Sequence, residues 1–329
     1  MSEAGVIAST RERKRKTALK IKFEKWHGCL NDFIVIWVPE DKIVFKALQK
    51  AASNLCNRVG SGIGADGLII IHYSESAPLV PTMLKIINSD GSLAATCGNG
   101  IRCAASSARN RHLSEKAISP EGILFPLIEG SQAYCQFMGQ AKTKYPIVSV
   151  DMGKAKINKE ADCFDKVQEE VKRITKLASM PEMLDDFSFV QISNEHLVFF
   201  MPSISRKALL KIGPLLQNSE IWDGINVHLV KEKAVTQQDS NLANSQIEDS
   251  LEELFEVLVW ERGAGETKAC GSGACAVAAA AYKSGFISRS NWIGIDMPGG
   301  RLYLRQPEDT GAVTMAGPAE KVYDGTFDL

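Results

Sequence analysis

Apolar and polar positions alternate from Ile21 onward and then give way to the run Phe33-Ile34-Val35-Ile36-Trp37. This predicts two strands over Ile21–Val38, joined by a turn at His27-Gly28. Val44 to Asn57 has helical spacing. The glycine-rich stretch Gly60 to Gly67 feeds a predicted strand Leu68–His72, and Met83–Asn88 reads as another, closed by the turn Asn88-Ser89-Asp90-Gly91. A helix then runs to about Arg111. A second series begins near Met152-Gly153. Strands are predicted within Phe187–Phe200, around Ser193-Asn194-Glu195-His196, and at Ile225–Val230 and Leu254–Glu261, with a helix over Ile204–Leu216. Lys159–Leu177 is charged and helix-forming, and reads as a peripheral insertion. Val235–Asp249 is polar and rich in Gln, Asn and Ser, which predicts a long mobile loop.

Each series ends in the same way. Thr96-Cys97-Gly98-Asn99-Gly100 leads into an alanine-rich helix, and so does Ala269-Cys270-Gly271-Ser272-Gly273, which extends to about Ser284. The repeat is too long for a solenoid and fits two related halves. Ile101–Ala108 is interrupted only by Arg102 and two serines, and Ala274–Ala281 has no charge. A helix without a polar face is buried on all sides. The fold class is therefore α/β (α+β): two pseudo-symmetric halves, each a mixed sheet wrapped around a central helix.

With 329 residues, 45% of them hydrophobic, the chain can build a sizeable core. A net charge of -1 provides no field for nucleic acid or membrane surfaces. The apolar runs are too short to cross a bilayer. The basic cluster Arg11, Arg13, Lys14, Arg15, Lys16 has no apolar stretch after it, so residues 1–20 are expected to be a solvated tail and the protein cytoplasmic. The eight cysteines include no C-x-x-C pair and the five histidines are scattered, so neither a disulfide framework nor a metal site is expected.

The chemistry is carried by Cys97 and Cys270. A helix N-terminus offers free N–H groups and partial positive charge, which favour thiolate and can bind a carboxylate. The following glycines let a substrate approach the backbone. Two such sites facing one carbon provide a base on one side and an acid on the other, which is what inversion of a stereocentre requires. Cys103 and Cys275 lie inside the helices and are expected to be packing residues, while Cys56, Cys135 and Cys163 have no functional setting. Gly60–Gly67 lacks the pattern of a Walker loop or a dinucleotide fingerprint.

Asn88-Ser89-Asp90-Gly91, Cys97–Cys103 and the long segment Trp260–Gly273 closely resemble the diaminopimelate epimerase family. Shorter matches include His27-Gly28 with Asn31-Asp32-Phe33, Gly64–Gly67, Asn194 with His196, Pro298-Gly299-Gly300 and Tyr323-Asp324-Gly325, so that the resemblance runs from about residue 21 to the C-terminus. It implies an isomerase that needs no cofactor, with its active site between two domains. These would be residues 21–152 with 318–329, and residues 153–317. Cys97 and Cys270 would be the acid/base thiols, with His196 and Glu261 supporting their protonation states. Asn31, Asn88, Asn194 and Asn226 would hold the distal end of the substrate and nearby polar groups, with Glu261 and Arg262 facing it. Gly98-Asn99 and Gly271-Ser272 would supply N–H groups to the reacting carboxylate. The implied reaction is conversion of LL-diaminopimelate to the meso form, in lysine and peptidoglycan precursor synthesis. The alternatives are a racemase for another amino acid and a catalytically idle amino-acid-binding homologue. The only partner the resemblance requires is the small amino-acid substrate; a homodimer is a further expectation. Two departures fall in substrate loops: Leu30 stands where the family has a glycine, and Glu195 where it has a proline. They place bulk and negative charge there.

Overall fold

The computed structural model describes residues 19–94, 97–114, 121–140, 146–158, 164–180, 187–236, 247, 251–283, 287 and 291–329. The first half contains β1 (Lys20–Gly28), β2 (Asn31–Pro39), α1 (Lys42–Cys56), β3 (Gly67–Ser74), β4 (Ala77–Asn88), β5 (Leu93–Ala94), α2 (Gly98–Ser114), β6 (Gly122–Pro126), β7 (Gln132–Gln140) and β8 (Pro146–Lys154). Next come β9 (Lys156–Ile157), α3 (Phe164–Leu177), β10 (Ser188–Ile192), β11 (Asn194–Phe200), α4 (Arg206–Gln217), β12 (Asn226–Lys233), β13 (Leu251–Glu261), β14 (Gly265–Thr267) and α5 (Gly271–Lys283). The chain closes with β15 (Trp292–Met297), β16 (Gly300–Arg305), β17 (Ala312–Pro318) and β18 (Glu320–Asp328).

The strands form two sheets. One has the order β18-β1-β2-β3-β4-β5, so the C-terminal strand returns to pair with the first. The other runs β6-β7-β8-β17-β16-β15-β13-β12-β11-β10-β9, with β14 added to β13. In the first sheet the parallel neighbours β2 and β3 are covered on both faces, which explains their near-continuous apolar sequence. Ile34, Ile36, Leu68 and Ile70 pack toward α1, whereas Phe33, Val35, Ile69 and Ile71 pack toward the central core. Asp41 starts α1 by accepting from the N–H groups of Ile43 and Val44 at 2.6 and 3.1 Å.

The two alanine-rich helices are central, as their sequences require. In α5 every residue from Gly273 to Tyr282 is buried, and in α2 so are Ile101 to Ala108, including Arg102 and both serines. Small side chains let the surrounding strands approach closely. The charged helix expected as a peripheral insertion is observed from Phe164; residues 159–163, with Cys163, lie outside the described residues. It does more than decorate the surface. Val167, Val171 and Ile174 face inward and share a core cluster with Leu209 and Ile212 of α4. Most of the predicted loop 235–249 is also outside the described residues, but Ile247 is buried in a cluster with Trp292 and Tyr303.

The first turn differs from expectation. β1 continues through His27 and Gly28, which pair with Asp32 and Asn31, and the chain reverses at Cys29-Leu30. Both residues lie in the left-handed region, at φ 53° and 62°. A two-residue hairpin turn demands this conformation, but neither residue type advertises it. Ser193, between β10 and β11, is also left-handed at φ 57°. Leu30→Gly is expected to raise stability by about 1 kcal/mol by removing the Cβ penalty; an unchanged or lower urea midpoint would refute this.

Candidate active site

Cys97 and Cys270 occupy equivalent positions, each immediately before a central helix. The Cys97 carbonyl accepts the Ile101 N–H at 2.8 Å, and the Cys270 carbonyl accepts the Ala274 N–H at 2.9 Å, so each cysteine is an N-cap. At Cys270 the sulfur itself serves as a capping acceptor. Cys270 Sγ accepts the Gly273 N–H at 3.3 Å. At Cys97, against the upward push of burial, the backbone N–H groups of Gly100 and Asn99 act to lower the thiol. Both thiols border one cleft of about 1060 Å³.

The two helix starts lie close together. A Cβ built on Gly271 would lie 3.5 Å from Asn99 Oδ1 and 3.4 Å from Met315 Sδ, and one built on Gly98 would collide with Met315 Cε at 2.2 Å. A side chain at Gly98 would thus displace the Met315 and Met152 side chains, whereas one at Gly271 would meet its neighbours only at ordinary contact distance. Burial pushes both thiols up. At Cys97 this is opposed by the Gly100 N–H, the Arg102 guanidinium and the Asn99 N–H. At Cys270 the neighbouring Glu261 carboxylate adds to the upward push, while Ser272 and the Gly273 N–H oppose it.

Every residue the sequence assigned to the site lines this cleft except His196. From the first half, Asn31 stands at the start of β2, Asn88 at the end of β4, and Gly98-Asn99 at the start of α2. Asn31 Oδ1 faces Asn99 Nδ2 at 3.2 Å and Cys97 Sγ at 4.0 Å, while its Nδ2 donates to Asp66 Oδ2 at 2.8 Å. Asp66 in turn pairs with Arg58 at 2.7 Å, Arg58 also pairs with Asp32, and Lys25 reaches Asp32 at 2.8 Å. Partial burial would raise the Asp32 carboxyl, but Arg58 and Lys25 hold it down at about 2. This ionic chain fixes the orientation of the Asn31 amide.

From the second half, Arg262 donates through Nη1 to the Asp223 carbonyl at 3.2 Å and through Nη2 to Asn194 Oδ1 at 3.5 Å. Asn226 has both ends of its amide engaged: Oδ1 accepts the Arg262 N–H at 3.0 Å and Nδ2 donates to the Glu195 carbonyl at 3.0 Å. It braces this wall, holding Arg262 in place, rather than offering a free amide. Glu261 is raised by burial and accepts from the Thr267 hydroxyl and the Cys270 thiol. The Glu195 side chain accepts from Gln191 Nε2 at 3.1 Å and is not among the cleft-lining groups, so its charge does not enter the site. Leu30 does border the cleft, half-exposed.

His196 is wholly buried beneath this wall. Its Nδ1 lies 2.9 Å from Nε2 of His228, also wholly buried, and the His228 ring packs against Gly273. Its route to the thiol is thus indirect, through His228 and the first turn of α5. Burial lowers His196 to about 3, and burial with His196 alongside holds His228 well below its ordinary value. Both imidazoles are neutral at ordinary pH. Their folded-state values lie below the unfolded value of about 6.5, so the stability they permit is complete above that pH and is lost as pH falls toward 3. Each should cost about 2 kcal/mol between pH 6.5 and 5. Urea midpoints should drop steeply over that interval, and His228→Gln should flatten the drop; a pH-independent midpoint would refute the account.

Two halves that each present a thiol at the start of a buried helix, across one cleft, define an epimerase-type isomerase. The chain belongs to the diaminopimelate epimerase family, whose model matches residues 23–157 and 188–322. The diaminopimelate epimerase of Bacillus subtilis (strain 168) is 32% identical over 311 residues, spanning 94% of this chain and 99% of its own. Among solved structures, a protein described as a predicted epimerase from Pseudomonas aeruginosa superposes with a TM-score of 0.62 at 14% identity, covering 94% of this chain and 99% of that one. A hydroxyproline epimerase from Agrobacterium vitis superposes with a TM-score of 0.56 at 11% identity, covering 94% and 91%. These two likenesses concern the fold.

Several residues in the cleft or packed behind it had no role in the sequence reading. Asp66 lay in the Gly64–Gly67 match without a role, and Arg58 and Met315 carried no local signal. His228 looks like any polar residue in a strand. Cys103, Cys135 and Cys275 are buried in apolar surroundings that raise their thiols, the last two to about 12, as packing residues should be. Among the described residues no group of His, Cys, Asp and Glu could hold a metal, and no helix is long and apolar enough to cross a membrane.

Proposed function

We propose that the protein converts LL-2,6-diaminopimelate to meso-diaminopimelate by cofactor-independent acid/base catalysis, serving lysine and peptidoglycan precursor synthesis in the cytoplasm. The observation that carries this reading is the pair of cysteine N-caps bordering one cleft. One sulfur removes the α-proton as thiolate while the other, as thiol, delivers a proton to the opposite face; the roles exchange in the reverse direction. The reacting carboxylate sits between the N-termini of α2 and α5, where Gly98-Asn99 and Gly271-Ser272 direct N–H groups at the charge that develops on deprotonation. Asn31, Asn88, Asn194 and Arg262 address the distal amino-acid end, with Asn226 bracing Arg262. Glu261 supports Cys270 directly, and His196 supports it through His228.

Incubation with LL-diaminopimelate, followed by chiral chromatography, should yield the meso isomer up to equilibrium. A panel of single-centre amino acids, proline and hydroxyproline included, should remain unchanged. Inversion of one of these with no action on diaminopimelate would transfer the reading to another amino acid. The half-exposed apolar Leu30 at the cleft rim is the feature that would favour that second reading.

A further inference from the structure

The two site helices begin beside one methionine. Met315 lies on β17, where it pairs with Val150 of β8 and Leu304 of β16. Its strand therefore joins the last strand of the first half to the sheet of the second. Met315 is wholly buried, and its thioether ends next to both helix starts. A Cβ built on Gly98 would lie 2.2 Å from Met315 Cε. One built on Gly271 would lie 3.5 Å from that same carbon and 3.4 Å from Sδ. Gly98 and Gly271 are the first residues of α2 and α5, and each directly follows a site cysteine.

A methionine side chain has three rotatable bonds and on its own would make a soft wedge. Here its sulfur is held. Arg102, wholly buried one turn into α2, donates through Nη1 to Met315 Sδ at 3.6 Å. The guanidinium in turn lies against β17, because a Cβ built on Gly317 would stand 3.4 Å from its Cζ and Nε. Met152 covers Gly98 from another side, 2.9 Å through Sδ from a Cβ built there. Met152 borders the cleft and Met315 does not, so Met315 sits behind the site rather than in it.

We infer that Met315 is the spacer that sets the separation of Cys97 and Cys270, with Arg102 fixing its sulfur in place. The inference rests on the two-thiol reading above. Two sulfurs that work on opposite faces of one carbon must both stand within hydrogen-bond reach of it. Their separation follows from how closely the two helix starts approach. The glycines bring no side chain to that gap, and Met315 fills it from the sheet. A void left there would let the helix starts move, and a shift of about 1 Å at a reacting group costs about 10²-fold in rate. Met315 acts through the two cysteines and is a positioning residue.

The test is Met315→Ala in the full-length protein, read in two ways. The first needs no substrate. The reduced protein is treated with diamide, which takes up two electrons and two protons as two thiols join, and the Cys97–Cys270 disulfide is followed by peptide mass spectrometry. With the spacer gone the helix starts close up, and this disulfide should form about tenfold faster than in wild type. The second reading is inversion of LL-diaminopimelate in D2O. Here kcat should fall about 10²-fold with KM little changed. The displaced acid thiol delivers late, so the proton on the other thiol exchanges with solvent and returns as deuterium to the residual LL substrate, which stays protiated in wild type. Met315→Leu, of nearly the same volume, should recover most of the rate and the wild-type response to diamide. A wild-type diamide rate in folded Met315→Ala, or a kcat that falls without deuterium entering the substrate, would overturn the inference. If Met315→Ala does not fold, Met315→Val, a milder truncation suited to a strand, carries both readings. If the wild-type protein leaves diaminopimelate unchanged, the function proposed above fails, and the diamide rates alone decide on Met315.

Discussion

Cys97→Ser and Cys270→Ser are each expected to lower inversion about 10²–10⁴-fold while leaving stability within about 0.5 kcal/mol of wild type. The two halves of this expectation have one structural origin. Each cysteine is an N-cap, and at Cys270 the sulfur also accepts a helix N–H. Serine is a preferred N-cap, so its hydroxyl replaces the sulfur in the helix. It does not replace it in the chemistry, because a hydroxyl ionises far less readily than a thiol. Turnover measured beside urea midpoints separates these roles. A large loss for only one of the two variants would show that a single side chain does the chemistry.

Gly273→Ala is expected to cost about 1–3 kcal/mol of stability and about 10²-fold in rate. A Cβ at this position would lie 2.2 Å from Cε1 and 2.9 Å from Nε2 of His228. That ring is wholly buried and tied to His196, so it has nowhere to swing. The first turn of α5 must shift instead, taking with it the N–H that Gly273 directs at Cys270 Sγ. Adding His228→Ala makes room for the new methyl group. The two changes together should therefore cost less than their sum, by about 1 kcal/mol or more. Strict additivity would show that the Gly273–His228 contact is not what excludes a side chain.

The elements that carry the site were legible because their patterns are extreme. An alanine-rich helix without a polar face can only be central, and two of them, each announced by Cys-Gly-x-Gly, gave the pseudo-symmetry and both thiols. The long Trp260–Gly273 motif placed Glu261 and Arg262 correctly at the cleft. What was hidden depends on tertiary contact. Cys29-Leu30 forms a tight left-handed turn without glycine, so the turn was placed two residues early. Glu195 sits in a substrate-loop motif, but strand alternation turns its side chain to Gln191 and away from the cleft. His196 was expected to support the protonation state of a thiol. Instead the parallel pairing of β11 with β12 sets it across from the start of β12, where it meets His228 rather than Cys270. The chain from Lys25 through Asp32, Arg58 and Asp66 to Asn31 joins three separate segments, and no local pattern records it.

The central claim is that one thiol takes a proton from one face of the α-carbon while the other gives a proton to the opposite face. Its most direct test is inversion of LL-diaminopimelate in D2O, with deuterium counted separately in product and residual substrate at low conversion. The acid thiol carries a solvent-derived deuteron, so each molecule of meso product should contain deuterium at the inverted carbon while the remaining LL substrate stays protiated. Product that retains its original proton would mean that a single group both removes and returns it, and would contradict the account.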